Sequence, residues 1–360
     1  AALRTQSENR ASGYENPVCG IDAWTHAEHY KLPFGRSVRY PVEYGGEANE
    51  VIRYMPGIVS QNVDGLSSSL RACLLSILKI HASNPIFAAC LQEHHLTKAK
   101  IAELDAEAEA FRLGILLVVN PMPDGEFKGG TAIAIPFDAI ELKEGETRDP
   151  ALARIRQSAH LSPDGRLTTV DILLNAKPHR VANAYAPQDD TVRPQFLQDL
   201  TDEINDHTIL ALDANCVPDT TLDLKRHAST PYNNAGSQEL KDTVDEHDLT
   251  DVAREYLGRD RFYTKHTHTN VAQDLITSTR IDQIYTPTAD AMTWTHTPTR
   301  EYMVDPGQWG HRMIRADLTI AREERGKDLK TINESIFDDL EFLAALQECF
   351  QHLHRAYQPE

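Results

Sequence analysis

Polar side chains of the kinds that hydrolyse phosphate esters follow several predicted strands. They occur in QNVDGL (Asn62, Asp64), LQEHHL (Glu93), NAYAP (Tyr185), ALDANC (Asp213, Asn215), TRIDQIY (Asp282) and WGHRM (His311). One or two carboxylates, such as Glu93 and Asp64, are enough to hold Mg²⁺, which keeps several water ligands. An Asp and Asn pair can polarise a water and hold a phosphate oxygen, and a histidine paired with a carboxylate can stabilise transition-state charge. The set predicts metal-assisted phosphoester hydrolysis.

Each motif alone has an ordinary structural explanation. A Glu at a strand end is usually a capping or salt-bridged residue, Asp-x-Asn usually forms a turn, and Arg-x-Asp is commonly a surface pair. A single histidine such as His311 is more often hydrogen-bonded or solvated than catalytic. A zinc site is disfavoured because the remaining ligands are missing beside the candidate histidines, which are His94, His95, His266 and His268. The chemical prediction therefore depends on the whole ordered series.

The motifs must be positioned by strands that alternate with helices. The predicted strands are GIVSQNV, PIFAACLQE, GILLVVN, GTAIAIP, RLTTVDILL, HRVANAYAP, TILALDAN, RIDQIY and MIRADLTI. The predicted helices are LSSSLRACLLSILKIHAS, TKAKIAELDAEAEAFRL (with Thr97 as N-cap) and DTVRPQFLQDLTDEIN. Strands interleaved with helices over this length predict two packed sheets flanked by helices in one large α/β domain.

Three regions follow from this pattern. Residues 1–56 are polar and irregular and predict an N-terminal extension. Residues 57–320 form the catalytic domain. Residues 321–360 predict a linker and an amphipathic helix, which packs on the domain or connects to a further domain. The apolar face of that helix comprises Ile336, Leu340, Leu343, Leu346, Phe350 and Leu353.

Composition restricts the partners and the compartment. The 360 residues carry a formal charge of -18, which disfavours non-specific nucleic-acid binding, although a bound cation restores local attraction for phosphate. The five cysteines are widely spaced and predict reduced thiols. No apolar run is long enough to span a membrane and no signal peptide is visible, so we expect an intracellular protein, nuclear or cytoplasmic. The missing N-terminal Met is consistent with a fragment of a longer chain.

Taken together and in order, the motifs resemble the endonuclease/exonuclease/phosphatase superfamily of DNase I-like proteins, and most of all the endonuclease domains of non-LTR retrotransposons. The resemblance covers about residues 57–320. It rests on N-x-D-G-L, L-Q-E, G-G-T-A-I-A, Gly165-Arg166, N-A-Y-A-P, L-D-A-N, F-Y-T, R-I-D and a late His. It implies a four-layer α/β sandwich with two packed mixed β-sheets flanked by helices.

The resemblance also implies a role for each matching residue. Glu93 would be the principal Mg²⁺ ligand, with Asp64 in the outer or second metal site and Mn²⁺ as a possible substitute ion. Asn62 would contact the catalytic Asp213 and the phosphate, and Asp213 would orient or deprotonate the water. Tyr185 and Asn215 would bind the scissile phosphate, and Asp282 would hold His311 in its working tautomer. Thr264, Arg280 and Lys128 are predicted at the substrate-binding surface.

One departure from the family pattern concerns the metal. The usual last motif, Ser-Asp-His, is here Trp309-Gly310-His311, so a carboxylate near the metal is missing. Loss of such an auxiliary group typically lowers metal affinity or activity by roughly 10–100-fold, so weakened metal binding is expected before loss of catalysis. Asp305 is a candidate substitute if its loop folds back.

Three functions are compatible with the sequence. The first is a Mg²⁺-dependent DNA endonuclease that nicks one strand and leaves a 3′-hydroxyl, followed by a reverse transcriptase in the same polyprotein. The second is a phosphatase or phosphodiesterase for a small or lipid-linked phosphate, which the charge of -18 favours. The third is a catalytically impaired binding module, which Gly310 motivates. A nuclease requires basic side chains at the cleft, and the candidates are Lys128, Arg166, Arg193, Lys265 and Arg280.

Overall fold

The structure is a computed structural model, and it describes most of the region that carries the motifs. The described residues are 56–66, 69–226, 232–268, 275–288, 292–297, 299, 302–305 and 310–320. The predicted N-terminal extension, apart from residue 56, and the predicted C-terminal helix lie outside these ranges, as does Trp309. Within them, no helix is both long and apolar enough to cross a bilayer.

Fifteen strands and seven α-helices are numbered in chain order over the described residues. The strands are β1 Gly57–Asn62, β2 Ile86–Gln92, β3 Ile115–Asn120, β4 Thr131–Pro136, β5 His160–Leu161, β6 Leu167–Leu174, β7 Lys177–Tyr185, β8 Thr208–Asp213, β9 Leu224–Arg226, β10 Leu249–Asp251, β11 Lys265–His268, β12 Leu275–Thr279, β13 Asp282–Pro287, β14 Met292–His296 and β15 Ile314–Ile320. The helices are α1 Leu70–Ser83, α2 Lys98–Glu103, α3 Ala106–Arg112, α4 Arg148–Gln157, α5 Arg193–Asp199, α6 Ser237–Glu246 and α7 Val252–Leu257.

Most strands belong to two six-stranded mixed sheets. The first sheet has the order β14-β15-β1-β2-β4-β3, and the second has the order β10-β13-β8-β7-β6-β5. Each sheet has one parallel pair near its centre, β1 with β2 and β7 with β8, and its other pairings are antiparallel. A small third sheet pairs β11, β12 and β9. The two parallel pairs place the carboxyl ends of four strands at one end of the molecule.

Alternating side chains divide the core into layers. Along β1, Ile58 packs in the core between the sheets, whereas Val59 points to the opposite face and packs with α1. On the other side, Leu210 and Leu212 of β8 pack against α5 and α6 through Leu197 and Leu240. The four layers are therefore helices, sheet, sheet and helices, which confirms the predicted α/β sandwich.

A polar network joins the two sheets at the end where the motifs lie. Gln92 Nε2 donates to Ser60 Oγ at 2.9 Å and to Asn183 Oδ1 at 2.6 Å, which connects β1, β2 and β7. Asn183 Nδ2 donates in turn to the carbonyls of Leu91 and Ala132, at 2.9 and 2.8 Å. All these side chains are buried, so the network is shielded from water and fixes the separation of the sheets.

The structure differs from the predicted elements in two respects. The predicted single helix beginning at Thr97 is divided into α2 and α3, because Asp105 adopts a left-handed backbone conformation with φ of 48°. Helices α4, α6 and α7, strands β5, β10 and β14 and the small sheet were not predicted. These elements are short and α4 and α6 are mostly polar, so packing against the sandwich contributes much of their stability.

The inter-sheet network predicts a large destabilisation when Asn183 is replaced. Asn183→Ala leaves two buried carbonyls and the Gln92 amide with fewer partners, so the free energy of unfolding should fall by about 2–4 kcal/mol. Urea unfolding followed by circular dichroism measures this. Ser83→Ala, which removes an exposed hydrogen bond to Lys79 O, is the matched control and should change stability by less than about 0.5 kcal/mol. A loss below about 1 kcal/mol for Asn183→Ala would contradict the role of the network.

Candidate active site

Six of the predicted site residues lie together at the polar end of the two sheets. They are Asn62, Glu93, Tyr185, Asp213, Asp282 and His311, and each is at most 3% exposed. They come from the ends of β1, β2, β7 and β8, from the start of β13 and from the segment before β15. Side chains far apart in the sequence thus form one buried cluster, which we call the polar cluster.

Strand register places three of these residues side by side. Tyr185 pairs with Asp213 across the parallel strands β7 and β8, and Asp213 pairs with Asp282 across β8 and β13. Directly opposed residues on neighbouring strands project to the same side of a sheet. The register therefore aligns a phenol and two carboxylates in one row, and a slip of one residue would remove all three.

Glu93 is held as a carboxylate by donors from three directions. Tyr185 Oη donates to Glu93 Oε1 at 2.6 Å, Asn62 Nδ2 donates to Oε2 at 2.6 Å, and Lys128 Nζ lies 3.6 Å from Oε1. Burial alone would raise the pKa of Glu93, but the contacts with His95, Tyr185 and Asn62 and the charge of Lys128 outweigh burial and hold it well below the usual range. Glu93 is therefore ionised and suited to bind a cation.

Asn62 connects the two acidic parts of the polar cluster. Its Nδ2 also donates to Asp213 Oδ2 at 2.8 Å, and its Oδ1 accepts the backbone N–H of Asp64 at 3.1 Å. Both amide hydrogens and the carbonyl of Asn62 are thus in use. One neutral side chain keeps Glu93 and Asp213 apart while giving each carboxylate a donor.

His311 lies between two aspartates. Its Nδ1 is 2.9 and 3.0 Å from the two carboxylate oxygens of Asp282 and 3.7 Å from Asp213 Oδ2. Its Nε2 is inaccessible to water and has no hydrogen-bond partner among the described residues. With Nδ1 donating to Asp282, Nε2 is the atom left for a ligand.

The pKa values of Asp213 and His311 are both raised. Burial raises the pKa of Asp213, and Asp282 adds to the effect while the charge of His311 opposes it. Burial alone would lower the pKa of His311, but the carboxylates of Asp282 and Asp213 outweigh burial and raise it. A carboxylate of raised pKa is a stronger base, and an imidazole of raised pKa keeps its proton to higher pH.

Two further predicted residues support this cluster from the side. Asn215 adopts φ of 49°, its N–H donates to Asp213 Oδ1 at 3.1 Å, and its Nδ2 donates to Ala186 O at 2.8 Å. Thr264 Oγ1 accepts the backbone N–H groups of Ile281 and Asp282, each at 3.2 Å. Thr264 is fully buried, and its contacts position Asp282.

Arg280 does not reach the substrate-binding surface as predicted. Its side chain is fully buried, and its guanidinium forms ion pairs with Asp223 at 2.7 Å and with Asp251 at 2.7 Å. Arg193 is also buried, and it donates to the carbonyls of Asn215 and Ala235, at 2.6 and 2.8 Å. A buried arginine must be paired because an unpaired buried charge is strongly destabilising, so both arginines are structural.

The other three cations remain near the polar cluster. Lys128 is about half exposed and contacts Glu93 and Gln188. Arg166 lies over the ring of Tyr185, with its guanidinium 5.1 Å from the ring centroid. The charge of Lys265 acts on Asp213 and His311. These three side chains are the basic groups available to a phosphate here.

Two groups of side chains in and beside the polar cluster could hold a metal ion. One comprises Glu93, Asp213 and His311, and the other comprises Asp64, Glu93 and His95, with ligand atoms within 4.8 Å of one another in each group. Carboxylates and imidazoles fit a hard or borderline divalent cation, and the unpartnered Nε2 atoms of His95 and His311 fit a ligand role. Asp64 is exposed at this rim, and Gly310 contributes no side chain.

Sequence reasoning missed two features of the site. Asn183 stands two residues before Tyr185 and therefore shares its side of β7, which the NAYAP motif could have indicated. His95 was considered only as a zinc ligand beside His94. The structure separates the two histidines, because His94 is fully buried with Nε2 3.0 Å from Asn120 O, whereas His95 faces Glu93.

Comparison with known proteins identifies the fold. No protein-family model and no curated protein sequence matches this chain. An AP endonuclease from Archaeoglobus fulgidus superposes with a TM-score of 0.51 at 17% identity, over 73% of this chain and 98% of that chain. An AP endonuclease from Leishmania major gives a TM-score of 0.51 at 14% identity, over 74% of this chain and 88% of that chain. These similarities confirm the DNase I-like fold that the motifs predicted.

The endonuclease domain of a telomere-specific non-LTR retrotransposon is also similar in structure. It superposes with a TM-score of 0.46 at 15% identity, over 74% of this chain and 99% of that chain. That score does not distinguish the retrotransposon type from other proteins with this fold. The retrotransposon hypothesis therefore continues to rest on the sequence motifs.

The His311–Asp282 pair predicts a measurable pH dependence in the metal-free protein. Because the pKa of His311 is raised above its unfolded value of about 6.5, the pair stabilises the fold below about pH 6.5, and this stabilisation is lost as pH rises through the folded-state pKa. Asp282→Asn removes the nearest negative charge and should lower the pKa of His311. NMR titration of the histidine ring in EDTA measures it. Glu203→Gln, which removes the partner of the exposed His160, is the control and should leave the pKa of His311 unchanged. An unchanged His311 pKa in Asp282→Asn would contradict the assignment.

Proposed function

We propose that this chain is a divalent-metal-dependent phosphodiester hydrolase, and specifically a DNA endonuclease that nicks one strand. The observation that supports this proposal most strongly is the polar cluster, in which Glu93 and Asp213 share the donor Asn62 while His311 is held by Asp282. Attack of water on a phosphodiester requires a group that binds a cation, a base that takes a proton from the water, and a donor to the phosphoryl oxygen. Glu93, Asp213 and His311 can fill these three roles. The DNase I-like fold is consistent with this chemistry but does not select the substrate.

The proposed reaction uses Asp213 and His311, which lie side by side with His311 Nδ1 3.7 Å from Asp213 Oδ2. Asp213 accepts a proton from water, whose oxygen forms a bond to phosphorus while the bond from phosphorus to O3′ breaks. The leaving O3′ takes up a proton from solvent and Asp213 later releases its proton to solvent, so the products are a 3′-hydroxyl and a 5′-phosphate. His311, held through Nδ1 by Asp282, donates from Nε2 to the phosphoryl oxygen that gains charge. A divalent cation held by Glu93 supplies Lewis-acid polarisation of the phosphoryl group when bound.

Substrate positioning is assigned to the rim of the polar cluster. Tyr185 keeps its proton because burial, followed by the charges of Glu93 and Asp213, raises its pKa well above the usual range. The phenol donates its single proton to Glu93 at 2.6 Å, so it would have to turn away from Glu93 to donate to a phosphate. The Asn215 amide donates one N–H to Ala186 O and has a second N–H for a phosphate. Lys128, Arg166 and Lys265 contribute positive charge for the flanking phosphates. The retrotransposon type, with a downstream reverse transcriptase in the same polyprotein, is part of this proposal and rests on the motif series that includes LQEHHL.

Plasmid nicking tests the endonuclease proposal. With Mg²⁺ or Mn²⁺, the wild-type chain should convert supercoiled plasmid to the open-circular form, and Asp213→Ala should lower the rate by about 10⁴-fold or more because it removes the base. Asp282→Asn should lower the rate by a smaller factor because the imidazole remains in place. Asp206→Asn, at an exposed aspartate paired with His247, is the control and should retain full activity. Nicking by the wild type that does not exceed nicking by Asp213→Ala would disprove the proposal.

A small phosphate ester is the second candidate substrate. The observation that favours it is the internal ion pairing of Arg193 and Arg280, which leaves three of the five expected cations near the site. The formal charge of -18 also opposes binding of a long polyanion. A phosphomonoester or a short phosphodiester requires fewer basic contacts than a duplex.

The salt dependence of DNA binding distinguishes the two substrates. If Lys128, Arg166 and Lys265 each neutralise one phosphate, log K should fall with log salt with a slope of about −2.7. Fluorescence anisotropy with the inactive Asp213→Asn variant, Mg²⁺ and a labelled duplex measures the slope. Lys128→Ala should reduce its magnitude by about 1, whereas Lys79→Ala, on the exposed face of α1, should leave it unchanged. A slope near zero would exclude duplex DNA and support the small substrate.

A further inference from the structure

His95 has no role in the proposed reaction, although its position is closely defined. It follows β2 with φ of 57°, and its backbone N–H donates to Gly129 O at 3.1 Å. Neighbouring backbone bonds link the same loop to the loop after β1, through Gly65 N–H to Glu93 O at 2.7 Å. The imidazole is thus held beside Asp64 and Glu93 by main-chain contacts on both sides.

The His95 ring nitrogen nearest to Glu93 is within ion-pair distance of that carboxylate but makes no short hydrogen bond. His95 Nε2 is inaccessible to water and makes no hydrogen bond among the described residues, although the side chain is about one quarter exposed. Its distance to Glu93 Oε1 is 3.7 Å, which is too long for a hydrogen bond. Two ligand atoms that share one ion, each about 2.0–2.2 Å from it, lie about 3–4 Å apart. The separation fits two ligands of one cation better than a direct contact.

His95 could supply the metal ligand that Gly310 cannot. Where related motifs have an aspartate before the late histidine, this chain has no side chain. The alternative carboxylate, Asp305, is exposed and belongs to neither of the two groups that could hold an ion. His95 belongs to one of them, together with Asp64 and Glu93. It approaches the metal-binding carboxylate from the loop after β2 rather than from the loop before β15.

Replacing a carboxylate by an imidazole changes which ion is preferred. Mg²⁺ selects oxygen ligands in a near-ideal octahedron. Imidazole suits the later first-row transition ions such as Fe²⁺, Ni²⁺ and Zn²⁺, and Mn²⁺ lies at the weak-binding end of that series. We propose that His95 is a metal ligand in this protein and that Asp64, Glu93 and His95 form a site selective for a divalent first-row transition cation, represented by Mn²⁺, over Mg²⁺. The proposal rests on the proposed function in one respect, since it shares Glu93 as a ligand.

Mn²⁺ binding to the full chain tests the assignment without measuring catalysis. Pulsed EPR of the Mn²⁺-loaded wild type should show coupling to a histidine nitrogen, and labelling the histidines with ¹⁵N should change that signal. The coupling should be lost in His95→Ala and retained in His311→Ala. Titration calorimetry should show at least a tenfold loss of Mn²⁺ affinity in His95→Ala, with Mg²⁺ affinity changed less than about twofold.

Control variants separate the possible failures. His160→Ala removes an exposed histidine paired with Glu203 and should leave Mn²⁺ binding unchanged. His95→Gln keeps a polar side chain of similar size, so loss of the nitrogen coupling in a folded His95→Gln protein supports the proposal even if His95→Ala does not fold. Coupling that survives in both His95 variants, or that is lost only in His311→Ala, overturns it while leaving the proposed function intact. Mn²⁺ binding that is identical in wild type and Glu93→Gln overturns both.

Discussion

The structure depends on how two carboxylates, Glu93 and Asp213, are buried together at one end of a sandwich. Like charges in a low-dielectric site repel each other and lose hydration, so each must receive donors from fixed directions. Asn62 donates to both at 2.6 and 2.8 Å, and Tyr185 and His311 complete the set. This requirement explains why neutral amides and a phenol, rather than apolar side chains, fill the ends of the central strands.

The backbone around the polar cluster is strained at several positions. Asp64, Glu93, His95 and Asn215 all have positive φ, a conformation that costs roughly 1–3 kcal/mol for a residue other than glycine. The loops with Asp64, Glu93 and His95 are tied to each other and to Gly129 by main-chain hydrogen bonds, and the segment with Asn215 is tied to Ile281 O through the Ala214 N–H. The network of Gln92 and Asn183 fixes the sheets beneath them. Strain is therefore concentrated at the polar cluster and is compensated by the rigid sandwich below it.

The basic side chains divide into buried arginines that stabilise the fold and cations that lie near the polar cluster. Arg280 and Arg193 neutralise buried groups around the second sheet and are not available to a ligand, whereas Lys128, Arg166 and Lys265 lie near the polar cluster. In the proposed reaction, a bound cation and these few basic groups would together attract a phosphate against the formal charge of -18. Glu93 would connect the two because it is the proposed metal ligand and pairs with Lys128.

The sequence by itself determined the succession of the central strands along the chain and the identity of the candidate polar residues, because apolar runs and the motifs at strand ends are local signals. It did not determine the order of strands within each sheet, or α4, α6, α7 and the small sheet, which are short and depend on packing. The tertiary structure decided which polar residues face a ligand. It buried Arg280 and Thr264 and turned His95 toward Glu93, because burial and distance depend on contacts between residues far apart in the chain.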